Sequence, residues 1–315
     1  MSKNANELLL SGINIHIEKA SNCENAISSA LLGPVAKSFV KNVNDIHNLL
    51  ILPQLVLAFG FLNGMANFHF LMKASVLGIS EDKKLSDADL TTMKAEYNKF
   101  WDPKREGNDK TIEFILDKAN SSISEMLEND EVRDSIRSLL ASATTAGWTA
   151  FEYLSTDLWV EVLNTRPKIA QHTFSSVTDE KSAEGLTSKN IPVRILSKYN
   201  FNLQQCMGTL LKPKFDFTGV DGIHKAYVAA FEKDAALHNI FQSTDLKLLE
   251  AVRHLNVHRS GIVDEEFKNR SNLNVNIGDI LPLDGATVSR LVNASIEAGC
   301  NLLCHVDHWL AIHPE

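Results

Sequence analysis

Between Val288 and Leu310 the apolar residues recur at helical spacing. Val288, Leu291, Val292, Ser295, Ile296, Gly299, Leu302, Leu303, Val306 and Leu310 fall on one side of a helix opened by Asp284-Gly285. An apolar stripe of that length is stable only against other apolar surface. The fold class expected is therefore all-α, a helical bundle. Other helices are predicted over about Asp87 to Phe100 behind a Ser86 cap, Lys110 to Leu127, Arg133 to Leu163, Asp221 to Phe241 and Thr244 to Arg259. Asp102 to Asn108 reads as a polar break, and Lys168 to Ser197 as a long loop or insertion. Asn272 to Leu283, before the last helix, shows a short β-like alternation around Gly278 and Pro282.

The softest boundary lies near Asn129-Asp130, where a charge-rich stretch joins two helical regions. It divides the chain into an N-terminal helical region, 1–130, of no evident role and a helical domain, 131–315. One segment of the first region is unusual. Leu49 to Met72 carries no charge and is long enough to cross a bilayer of about 30 Å. Pro53, Gln54, Asn63, Asn67 and His69 interrupt it, and polar groups are costly in hydrocarbon. The expectation is a buried helix pair, with no membrane partner.

The 315 residues include 44% hydrophobic and 22% charged, enough for a sizeable core. A net charge of −8 argues against coating duplex nucleic acid, which needs a broad basic surface. A small basic cleft on an acidic body stays open. The four cysteines, Cys23, Cys206, Cys300 and Cys304, form no C-x-x-C pair. The first residues are polar and read as no signal peptide, so a reduced, cytoplasmic setting is expected.

Function points to Leu249 to Phe267, where Arg253 and His258 close a helical run that stops near Gly261. Arginine is a permanent cation that forks onto phosphate. Histidine moves protons near neutral pH. Together they suit metal-free cleavage of ribonucleic acid. On a helix they stand about 140° apart, so one isolated helix does not aim both at one atom. Either His258 swings over the helix end, or a second copy supplies the missing group across a two-fold axis. The same spacing also fits a snorkelling arginine and a histidine that caps the dipole. Glu152 falls within the apolar stripe of Trp148, Phe151, Ser155, Trp159 and Leu163. A carboxylate there needs a partner, and Arg253 is the candidate.

Arg253 to His258 fits the R-x4-6-H motif, and the chain resembles HEPN domains over about residues 135 to 315. Gly261-Ile262-Val263-Asp264-Glu265-Glu266-Phe267 is similar to the stretch that follows the motif in many bacterial members. Phe151-Glu152-Tyr153-Leu154 and Val275-Asn276-Ile277-Gly278-Asp279-Ile280 are similar to the same group. The resemblance implies a homodimer and a metal-independent endoribonuclease of toxin–antitoxin or antiviral defence systems, without cofactor. It makes Arg253 and His258 catalytic, RNA the substrate, and an antitoxin or defence protein a further partner. The substrate's 2′-hydroxyl would be the nucleophile and a cyclic phosphate the product. Where many active members carry Asn after the motif arginine, this chain has His254, with Asn256 two positions on; both are read as supporting residues, with Glu152.

Two rival readings accompany this one. The first is a non-catalytic dimerisation or sensing module of the same fold. The second is a metal site on His254 and His258, one turn apart, joined by Cys300, Cys304 and His308 from the last helix.

Overall fold

The computed structural model describes residues 9–10, 12–76, 86–100, 108–175, 197–200, 202–231 and 235–313. The fold is all-α. Its helices are α1 (Ile17–Ala26), α2 (Gly33–Val76), α3 (Asp87–Phe100), α4 (Asn108–Met126), α5 (Asp130–Thr165), α6 (Ala170–Ser175), α7 (Met207–Leu211), α8 (Val220–Phe231), α9 (Ala235–Phe241), α10 (Thr244–Arg259), α11 (Glu265–Ser271) and α12 (Gly285–Ile312). The expected Asp221 to Phe241 helix is two helices, α8 and α9. The β-like stretch before α12 makes a single antiparallel bridge, Ile262 to Ile280, and among the described residues there is no strand. Three backbone bonds flank that bridge, among them Leu281 N–H to the Gly261 carbonyl at 2.8 Å. Most of the expected loop after Lys168, and most of the polar break before α4, lie outside the described residues.

The chain divides into two compact units, Met1–Glu7 with Leu50–Ser135, and Leu8–Leu49 with Ile136–Glu315. This differs from the division at 130/131 read from charge. One cut falls inside α5, close to the expected place. The other falls inside α2 and assigns α1 and the first half of α2 to the larger unit. The reason is burial. Ala20, Cys23, Leu32, Ala36, Phe39, Val43 and Ile46 are core side chains there. Polar bonds tie the same segment to α12. Asn14 N–H donates to Ser289 Oγ at 2.8 Å, and the Asp307 carboxylate accepts from the Ser28 and Ser29 amides at 3.0 and 2.9 Å.

In the larger unit α12 is the central helix. Its whole apolar stripe is buried, and Asp284 caps its start by accepting from Thr287 N–H at 2.8 Å. Two glycines let neighbours come close. A β-carbon on Gly299 would lie 2.6 Å from Phe39 and 2.8 Å from Leu154, and one on Gly147 would lie 3.1 Å from Val292. So α12 packs against the first half of α2 and against α5. Along α5, Trp148, Phe151, Leu158 and Trp159 are completely buried. Trp159 Nε1–H donates to the Ala226 carbonyl at 3.0 Å and the Tyr227 hydroxyl to the Ser155 carbonyl at 2.7 Å, satisfying both polar tips.

The smaller unit holds the outer half of α2, α3 and α4. Ile115, Ala119 and Ile123 on α4 and Leu127 just after it are buried at four-residue spacing, while the other faces of α4 are exposed. Gln54 Nε2–H donates to Asn120 Oδ1 at 2.9 Å, which joins α4 to α2. Here the expectation for Leu49 to Met72 is overturned. The segment is one continuous helix that runs through Pro53, not a pair, and it is not buried. Val56, Phe59, Phe68 and Leu71 are 61%, 64%, 66% and 64% exposed. The helix is long and apolar enough to cross a membrane by length and composition.

Candidate active site

The site is built on α10. Ser243 caps its start, accepting from Leu246 N–H at 3.3 Å. Leu246, Leu249, Ala251, Val252 and Leu255 anchor it to the core of the larger unit, whereas Leu248 is only half-buried. The helix ends as the glycine suggested. Ser260 takes φ +52° and Gly261 φ +80°, and both amides return to the Leu255 carbonyl. That left-handed exit leaves His258 and Arg259 exposed in the last turn, and Arg259 reaches Asp264 at 3.3 Å.

The partnership of Arg253 with Glu152 is realised. Arg253 Nη2 lies 3.9 Å from Glu152 Oε2, each side chain 25% exposed. Glu152 is itself positioned by Trp148, whose Nε1–H donates to the same oxygen at 2.9 Å. A buried tryptophan thus holds the carboxylate, and the carboxylate orients the guanidinium from one side. Arg253 Nε is shielded from solvent and has no hydrogen-bond acceptor. Sequence reasoning named Trp148 only as part of the stripe. The signal for its role was its position one turn before Glu152.

His254 and His258 face each other one turn apart, ring centres 4.6 Å apart at 48°. Asn256 points elsewhere, toward α5. Its Nδ2–H donates to Thr144 Oγ1 at 3.0 Å and to the Ala141 carbonyl at 3.4 Å. Asn256 is thereby a tether of α10 to α5, a role that only the packing reveals. Beside it a groove of about 660 Å³ runs along α5, lined by Asn42, Thr145, Thr149, Tyr153, Asn256 and Val257. Asn256 and Val257, which separate Arg253 from His258 in sequence, form one wall of this groove.

The nitrogen–sulfur site of the second rival reading does not assemble. Among the described residues no group of three or more histidine, cysteine or carboxylate side chains is placed to hold a metal. Cys300 and Cys304 turn instead toward α1, with Cys304 Sγ 4.0 Å from Cys23 Sγ. Burial, and then the Cys23 neighbour, push the Cys304 thiol up to about 11, which opposes the thiolate a metal needs. His308 is exposed.

The chain matches no known family, no curated protein and no solved structure.

Proposed function

We propose that this chain is a metal-independent endoribonuclease of the HEPN type, acting as a homodimer in a toxin or defence setting in the cytoplasm. The observation that carries the reading is Arg253, held by Glu152 and Trp148 on the helix whose exposed end bears His258. Arg253 holds the scissile phosphate and offsets the charge that develops on the pentacoordinate transition state. His258 takes or returns a proton. The ribose 2′-hydroxyl attacks phosphorus, the bond to the 5′-oxygen breaks, and that oxygen leaves with a proton. A 2′,3′-cyclic phosphate and a 5′-hydroxyl remain. Because the two side chains stand about 140° apart on one helix, the partner copy brings its own pair to the same phosphate. His254, its ring centre 4.6 Å from that of His258, is a second proton carrier.

The test is RNA cleavage by purified protein in chelator, with product ends analysed. Arg253→Ala abolishes cutting, and Arg253→Lys restores little, because a point charge does not replace a planar fork. His258→Ala lowers the rate by about 10² to 10⁴-fold. A His258→Ala protein that cuts at the wild-type rate overturns the assignment. A wild type that cuts no RNA turns the reading to the non-catalytic dimerisation or sensing module. The observation favouring that second reading is the Arg253–Glu152 pair, which serves structure as well as chemistry, on a body of net charge −8.

A further inference from the structure

We propose that the outer half of α2, with the α4 it is bonded to, is an interface for a second copy of this chain. The inference does not depend on the chemistry proposed for Arg253 and His258.

The surface is too apolar to face water. Eight large apolar side chains of α2 are exposed by a third or more: Leu52, Leu55, Val56, Phe59, Phe61, Phe68, Leu71 and Met72. Spread over roughly 260° of the helix, they present on the order of 800 Å² in all, the scale of one partner's share of a specific interface. On α4, Ile112, Phe114 and Leu116 are exposed as well, at 47%, 52% and 42%. Monomeric proteins rarely leave so large a patch uncovered.

Lipid is the poorer cover. Gln54 and Asn120 join α4 to α2, so a bilayer around α2 would also receive α4. That helix carries Glu113, Asp117, Lys118 and Glu125, all exposed, and ionised side chains cost about 2.5–3.5 kcal/mol each at mid-membrane.

Self-association fits better than an unlike partner. From Leu49 to Met72 there is no charge with which a different protein could be selected. The exposed polar groups are Asn63 and Asn67, one turn apart. An amide is donor and acceptor at once, so it pairs with its own copy across a two-fold axis. Gly60 and Gly64 share that side of the helix, within an arc of about 100°. A β-carbon on either would meet nothing within 4 Å, so the backbone there is open to close approach.

The experiment is sedimentation velocity of the full chain over a concentration series, with Phe68→Glu and Gly64→Leu beside the wild type and helicity followed by circular dichroism. The wild type is expected to associate through this α2 contact, into a dimer by itself or into a larger assembly where α10 pairs as well. Each variant is expected to weaken that contact about 30-fold or more at unchanged helicity. A variant that loses helicity is replaced by Asn63→Cys, which mild oxidation should cross-link to its own copy. A monomeric wild type overturns the proposal, as does a monomer that instead sediments with phosphatidylglycerol vesicles. So does a dimer indifferent to both variants, or an Asn63→Cys chain that does not cross-link. A dimer indifferent to the variants leaves the ribonuclease reading standing, since its two-fold axis would then lie at α10. A loss of cleavage in Arg253→Ala with the dimer intact separates the two in the other direction.

Discussion

The last helix and the outer half of α2 are both long, apolar and interrupted by small residues, yet they meet opposite fates. On α12 the apolar residues keep to one side, while Arg290, Glu297, Asn301, Cys304 and His308 form an exposed stripe on the other. Its own chain covers it completely. Leu49 to Met72 has no charged stripe, and one side is marked only by Gly60, Asn63, Gly64 and Asn67. Its side chains are exposed around much of the circumference. Periodicity, rather than hydrophobicity, marks a helix whose cover is supplied by the same chain. A helix apolar all round is buried too, but by whatever surrounds it.

Leucine truncation tests this contrast most strongly. Leu302 on α12 is fully buried and Leu71 on α2 is 64% exposed. In urea unfolding of dilute protein, Leu302→Ala should cost about 2–5 kcal/mol, the transfer term plus a cavity. Leu71→Ala should stay within about 0.5 kcal/mol. Equal costs would mean that α2 is covered within the monomer, and the comparison would fail.

One substitution placed in each helix should change sign. Gly299→Ala drives a methyl into Phe39 and Leu154, both core residues with little room to move, and should cost about 1–3 kcal/mol. Gly60→Ala meets open space and removes a flexible residue from a helix interior. It should stabilise the dilute protein by roughly 0.5–1 kcal/mol. The melting temperatures of the two variants should therefore lie on opposite sides of the wild type.

The smallest effect is expected from pH. Tyr227 sits in the larger unit, where burial raises its hydroxyl well above the usual 10.0. The unfolded chain then releases that proton before the folded one does. Stability is complete below pH 10 and falls as alkali is added. Asp216 works in the opposite direction. Hydrogen bonds from Thr218 hold its carboxyl below the usual 3.8, so its contribution is lost as pH drops through that range. Near-ultraviolet melting of the core around Trp148 and Trp159 should therefore decline on the alkaline side. A melting temperature flat through the tyrosine range would show that Tyr227 is not sealed in that core.

Of the candidate site, the part on one helix was legible. The helix over Thr244 to Arg259 and its stop at Gly261 are local signals, and they put Arg253 and His258 on one helix without tertiary knowledge. Glu152 was legible too, because a carboxylate inside an apolar stripe demands a partner. Trp148 behind Glu152, and Asn256 turned onto Thr144, were not. Each role depends on which way a side chain points once two helices have packed, and spacing in the chain carries no such direction.

The sequence by itself determined the all-α class, most of the longer helices and the apolar stripe of α12, because periodicity and capping act over a turn or two. Only the tertiary structure decided that Leu8–Leu49 belongs with α12, and that α2 leaves its outer half uncovered. Those outcomes rest on contacts between residues far apart in the chain. A helix with no charged stripe carries no periodic signal of which of its sides the same chain will cover.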